Sequence, residues 1–62
     1  MTERTTILIV DDEIEARQML LQALMLYGAT VITASNVKDA LDEINTKNPD
    51  IIVSDIGMPE ED

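Results

Sequence analysis

Ile7-Leu8-Ile9-Val10-Asp11-Asp12 decides how the chain is read. Four apolar residues, three of them β-branched, run without polar alternation and stop abruptly at two acids. Such a run suits a strand covered on both faces, as in a parallel sheet. The acids then open a helix. Asp12 is a capping residue type and Glu15 stands three positions later, a capping-box pattern that predicts a helix start at Asp12-Glu13. Both charges favour the positive end of the helix dipole. Ile14, Arg17, Leu20 or Leu21, Leu24 and Tyr27 or Gly28 recur at helical spacing, with Gly28 as the expected terminator. Met19, Leu20, Leu21, Ala23, Leu24, Met25, Leu26 and Tyr27 nearly circle this helix, a wider apolar surface than one sheet face needs.

The pattern then repeats. Thr30 to Ala34 reads as a strand, and Ser35 and Asn36 as helix N-caps. Val37, Ala40, Leu41 and Ile44 form one helical face, with Lys38, Asp39, Asp42 and Glu43 opposite. Asn45 to Asn48 is polar, and Pro49 prevents continuation. Ile51-Ile52-Val53 is another buried-type strand, ending at Ser54-Asp55. Ile56-Gly57-Met58-Pro59 reads as a loop, and Glu60-Glu61-Asp62 as an acidic end. The expected fold class is α/β: a β-α-β-α-β unit with parallel strands in the order 2-1-3 and helices on both faces, as right-handed crossovers require. Ligands of such sheets sit beyond the carboxyl ends of the strands where the strand order reverses. That places Asp11, Asp12 and Asp55 at one rim.

Composition narrows the chemistry. The 62 residues carry a formal net charge of −9, with no Cys, no His and a single aromatic residue, Tyr27. So acidic a chain offers no electrostatic footprint for nucleic acid or an anionic membrane. Disulfides, thiol chemistry, His-ligated metals and a Ser-His-Asp triad are excluded. The absence of Cys fits a reducing compartment, and a cytoplasmic location is expected. Hydrophobic residues make up 45 % and fall in blocks, which argues against disorder. No apolar stretch approaches the roughly 20 residues of a membrane span, and Met1 to Thr6 has no signal core. One small domain is expected; at about 60 residues it buries only roughly 60 % of its unfolded surface.

Three carboxylates at one rim are costly. Two charges about 4 Å apart repel by roughly 4 kcal/mol at an effective dielectric near 20. A proton or a cation has to relieve them. An all-oxygen set suits Mg²⁺ or Mn²⁺ better than zinc. One of the acids is then available as a nucleophile, giving an acyl phosphate.

Val10-Asp11-Asp12-Glu13, the helix with Arg17, Leu20, Leu24 and Gly28, and Asp55-Ile56-Gly57-Met58-Pro59 resemble the receiver domain of two-component response regulators. The acidic pair after the first strand, the Asp-x-x-Met-Pro loop and the gap from Asp12 to Asp55 carry the resemblance. It implies that the sheet is part of a flavodoxin-like fold. It implies that Asp55 is the phosphoacceptor, taking a phosphoryl group from a histidine kinase or histidine phosphotransfer protein. Asp12 would bind Mg²⁺ directly, Asp11 partly through water, and Gly57 through its backbone carbonyl. The module would assist its own phosphorylation without being an enzyme. The resemblance covers residues 1–62 but only the first half of the family's domain. The fourth and fifth β-α units are missing, and with them the switch Ser or Thr and the Lys that contacts the phosphoryl group. Phosphoryl acceptance by this form is therefore expected to be impaired.

Each residue also has a plainer reading. Asp12 serves equally as a helix cap, and Asp11 as the solvated end of a strand. The wide first helix either lies under a neighbour this chain lacks or docks a kinase. A bare third-strand edge invites another chain, so a homo-oligomer through that edge or the first helix is expected. An edge pairing of two copies would be antiparallel by symmetry. Two other functions stay open: a non-phosphorylated receiver-like module for dimerisation or protein binding, and a metal-dependent phosphohydrolase. The phosphohydrolase fits poorly, because such enzymes place two acids as Asp-x-Asp after one strand.

Overall fold

A computed structural model describes residues 4–54. The expected Asp55, the loop through Gly57, Met58 and Pro59, and the acidic end lie outside the described residues. Five elements follow one another: β1 (Thr6–Val10), α1 (Ile14–Leu26), β2 (Thr30–Ala34), α2 (Val37–Lys47) and β3 (Ile51–Ser54). The strands form one parallel sheet in the order β2-β1-β3, as the sequence predicts. The registers are level: Val10 pairs with Ala34 on one side and with Ser54 on the other.

Centrality explains the composition of β1. Leu8 and Ile9 are fully buried, and Ile7 and Val10 nearly so. Successive strand residues face opposite sides, so an unbroken apolar run is stable only where both sides are covered. Leu8 and Val10 pack with Ala34 and Ala40, and Ile32 and Ile44 close that cluster beneath α2. On the other face Ile7 and Ile51 share a groove with Leu24 of α1. The two helices pack on β1 and β2 and make no contact with each other, as expected for opposite faces.

Local chemistry fixes the ends of the elements. The Asn36 side chain accepts the Asp39 backbone N–H at 2.8 Å, capping α2. The Asn36 amide also reaches back to the Asp39 carboxylate at 3.2 Å. At the other end of α2, Asn48 takes the left-handed conformation (φ 50°) and its N–H bonds the Ile44 carbonyl. Lys47 and Glu43 pair at 3.3 Å one turn apart, a contact with its Lys end in solvent and worth only a few tenths of a kcal/mol. α1 ends as Gly28 predicts. The Gly28 N–H bonds the Met25 carbonyl and the Ala29 N–H bonds Leu24. This is a Schellman motif, and it needs the φ of 85° that glycine tolerates.

Two sequence expectations about packing change. The helical face Val37, Ala40, Leu41 and Ile44 is only half used: Ala40 is buried, whereas Val37 and Leu41 are exposed. α2 lies over β1 and β2, and neither helix packs on β3. The second change concerns α1. Its inward stripe is Ala16, Arg17, Leu20, Leu21 and Leu24, all only part-buried, and no α1 residue is fully buried. Met19, Met25, Leu26 and Tyr27 stand well exposed, Tyr27 at 87 %. The excess apolar surface read from the sequence is therefore uncovered among the described residues.

Candidate functional site

The candidate site grows from the carboxyl end of β1. Val10 is the last residue of the strand, and the Asp11 N–H still bonds the Ala34 carbonyl at 3.1 Å. The ladder thus extends one residue past the strand and draws Asp11 into the sheet. Its side chain is 3 % exposed. The reading of Asp11 as a solvated strand end is corrected here. Its Oδ1 accepts the Glu13 backbone N–H at 2.9 Å, closing a tight turn two residues long.

That turn also moves the start of α1. The helix begins at Ile14, and its N-cap position is Glu13, with φ −98°, ψ 124° and no side-chain cap bond. The expected capping box of Asp12 with Glu15 does not form. With Glu13 as N-cap, Glu15 falls at the second helical position, one short of where a box requires it. Asp12 therefore has no capping duty. It is exposed in the turn, and no described residue forms an ion pair with it.

Arg17, which the sequence places only in the helical repeat and the family resemblance, completes the turn. The Arg17 guanidinium donates from Nη1 to the Asp11 backbone carbonyl at 2.9 Å. Asp11 is thus held at three points: its N–H on β2, its carboxylate on the Glu13 N–H, and its carbonyl by Arg17. The sequence marks Arg17 as the one cation in an otherwise apolar inward stripe, without saying which group it meets. Long cations placed there commonly reach for a polar group near the edge of the core.

The structure brings Asp11 and Asp12 to the rim where β1 ends, level with Ser54 at the end of β3. Asp55 follows Ser54 in the sequence; it and Gly57 lie outside the described residues. Among the described residues no three His, Cys, Asp or Glu side chains gather as a metal group. The donor chemistry available still fits a hard divalent cation. Asp11 uses one carboxylate oxygen in its turn and Asp12 stands exposed next to it, so the rim offers hard carboxylate oxygens and no softer ligand.

Residues 7–62 match the response regulator receiver domain. The chain belongs to the response regulator receiver domain family. The match begins at Ile7, the first residue of β1 that is paired on both sides, and runs through the acidic pair. Among curated proteins, the chain is 44 % identical over 62 residues to the regulatory protein AtoC of Escherichia coli, covering all of this chain and 13 % of that protein. It is 41 % identical over 56 residues to a probable transcriptional regulator, ycf27, of Guillardia theta, covering 90 % of this chain and 22 % of that protein. An uncharacterised 14.6 kDa protein of Leptolyngbya boryana is 43 % identical over 56 residues, covering 90 % of this chain and 43 % of that protein. The chain thus spans less than half the length of each of these relatives. No solved structure gives a significant match. The receiver domain is a phosphoacceptor module of two-component signalling, and its flavodoxin-like sheet agrees with the 2-1-3 order seen here.

Proposed function

We propose that this chain carries the phosphoacceptor end of a receiver, with Asp55 as the residue modified and Asp11, Asp12, Asp55 and the Gly57 backbone carbonyl as the ligands of Mg²⁺ or Mn²⁺. The observation that carries the proposal is the rim itself: a buried Asp11 and an exposed Asp12 at the end of the central strand, level with Ser54, the residue before Asp55. Membership of the receiver family supports the assignment of roles.

In the reaction proposed, an Asp55 carboxylate oxygen attacks the phosphorus of a phosphohistidine on a histidine kinase or histidine phosphotransfer protein of the cytoplasm. The P–N bond breaks as the P–O bond forms, and the departing imidazole nitrogen takes a proton from solvent. The product is an acyl phosphate on Asp55. A bound Mg²⁺ supplies charge neutralisation between the acids and the incoming phosphoryl oxygens. Asp11, fixed by its turn, commits one carboxylate oxygen to the Glu13 N–H and leaves the second for a ligand, and Asp12 is unencumbered by any cap. The chain acts as a substrate that assists its own modification, not as a turnover enzyme.

A small-molecule phosphodonor tests this directly. With Mg²⁺ present, intact-mass analysis is expected to show the gain of one phosphoryl group, lost in Asp55→Asn and on chelation. No gain, or a gain that persists in Asp55→Asn, contradicts the assignment.

A second reading, a binding or assembly module that keeps the fold without phosphorylation, rests on a separate observation. Ile51 and Ile52 of β3 are half exposed on opposite faces, and α1 shows Met19, Met25, Leu26 and Tyr27. Self-association through the β3 edge or α1 belongs to this reading. A mass gain at Asp55 separates the two.

A further inference from the structure

We infer that Arg17 is a positioning residue for the acidic pair: its guanidinium holds the Asp11 carbonyl and so sets the two carboxylates for a divalent cation. The inference rests on the metal reading of the rim proposed above. The geometry is specific. Arg17 sits one turn into α1, six residues beyond Asp11, and its Nη1 spans the turn to the Asp11 carbonyl at 2.9 Å. That carbonyl belongs to the peptide linking Asp11 to Asp12. Fixing it fixes the plane from which both side chains leave. The Asp11 Oδ1 bond to Glu13 closes the same turn from the other side, and the Asp11 N–H anchors it to Ala34.

The choice of acceptor matters as much as the bond. Arg17 lies beside a carboxylate pair in a chain of net charge −9, yet no ion pair between it and an acid occurs among the described residues. An arginine fork bound to a carboxylate would occupy the oxygens a cation needs. Bound to a neutral carbonyl, it orders the turn and leaves those oxygens free. Groups that orient metal ligands without touching the metal commonly control affinity by about 10- to 100-fold.

This makes a prediction opposite in sign to simple electrostatics. Arg17 is a positive charge near a proposed cation site, so removing it on charge grounds alone tightens Mn²⁺ binding. Positioning predicts the reverse. Mn²⁺ affinity is to be measured by calorimetry on the 62-residue chain, its Arg17→Gln and Arg17→Lys variants and Asp12→Asn. Amide hydrogen exchange at Asp12 and Glu13 is measured in the absence of metal. The expected result is Mn²⁺ binding about tenfold weaker in Arg17→Gln, with faster exchange at Asp12 and Glu13 and unchanged exchange in β1. Arg17→Lys, which keeps the charge and a donor, is expected to recover part of both. Unchanged or tighter Mn²⁺ binding in Arg17→Gln, with wild type and Asp12→Asn differing as expected, overturns the inference alone. Absence of Mn²⁺ binding by the wild type overturns the metal reading, and the inference with it. Should Arg17→Gln fail to fold, Arg17→Lys decides: weaker Mn²⁺ binding together with faster exchange at Asp12 and Glu13 supports a held turn, and wild-type affinity, whether exchange is fast or unchanged, overturns it.

Discussion

At the scale of the residue, Asp11 and Asp12 show how neighbours of one type take different tasks. Asp11 is drawn into the sheet by one more ladder bond and spends a carboxylate oxygen on the turn. Asp12 remains exposed and free of capping. Asp12→Asn is therefore expected to weaken Mn²⁺ binding by about tenfold or more, while the melting temperature without metal stays level or rises as repulsion at the rim falls. A clear loss of metal-free stability would instead reveal a structural duty for Asp12. Asn36 is the opposite kind of residue, wholly structural. Its bond to the Asp39 N–H at 2.8 Å predicts that Asn36→Ala costs about 1 kcal/mol in denaturant unfolding. The Asn36 cap was legible in the sequence because capping is local. The role of Arg17 was not, because helical spacing places a residue on a face without saying which backbone carbonyl across a loop it meets.

At the scale of the element, β1 was legible from its composition alone. An apolar run without alternation has no stable place except between two covered faces, and Leu8 and Ile9 are fully buried. Leu8→Ala is expected to cost about 2–5 kcal/mol, enough to abolish a cooperative thermal transition in so small a chain; a transition of unchanged midpoint would place the core elsewhere. The end of α1 was equally plain, since the Gly28 conformation at φ 85° is closed to most residues. Nothing lies within 4 Å of a Cβ added there, so Gly28→Ala is strained only through its backbone. It is expected to cost about 1 kcal/mol, read from the denaturant midpoint. The start of α1 was misread by one residue. Two acids in tandem offer two competing turn chemistries, and the Asp11 turn onto Glu13 excluded the Asp12 box. The breadth of the α2 stripe was over-read for a different reason. Periodicity gives the direction of a helix's apolar face, but what covers Val37 and Leu41 depends on elements packed beside it, and neither helix lies on β3.

At the scale of the whole molecule, acids and exposed apolar surface pull in opposite directions. Charge of −9 on 62 residues opposes self-association, while Ile51, Ile52 and the outer face of α1 favour it. Sedimentation at micromolar concentration and rising ionic strength is expected to show growing self-association as repulsion is screened; a well-folded monomer throughout contradicts the assembly reading. Divalent cations act on the same balance. Binding to the folded rim is expected to raise the melting temperature, because it adds about 2.7 kcal/mol of stability at a hundred times the dissociation constant. The central claim is that the acids of β1 and Asp55 share one cation, and the most direct measurement of it is line broadening in amide spectra on adding substoichiometric Mn²⁺. The account predicts broadening centred on Asp11, Asp12 and Asp55, with Gly28 and Asn48 at the opposite end of the sheet left sharp. Broadening that spares Asp12 or Asp55, or that follows Asp42, Glu43 and the acidic end instead, would contradict it.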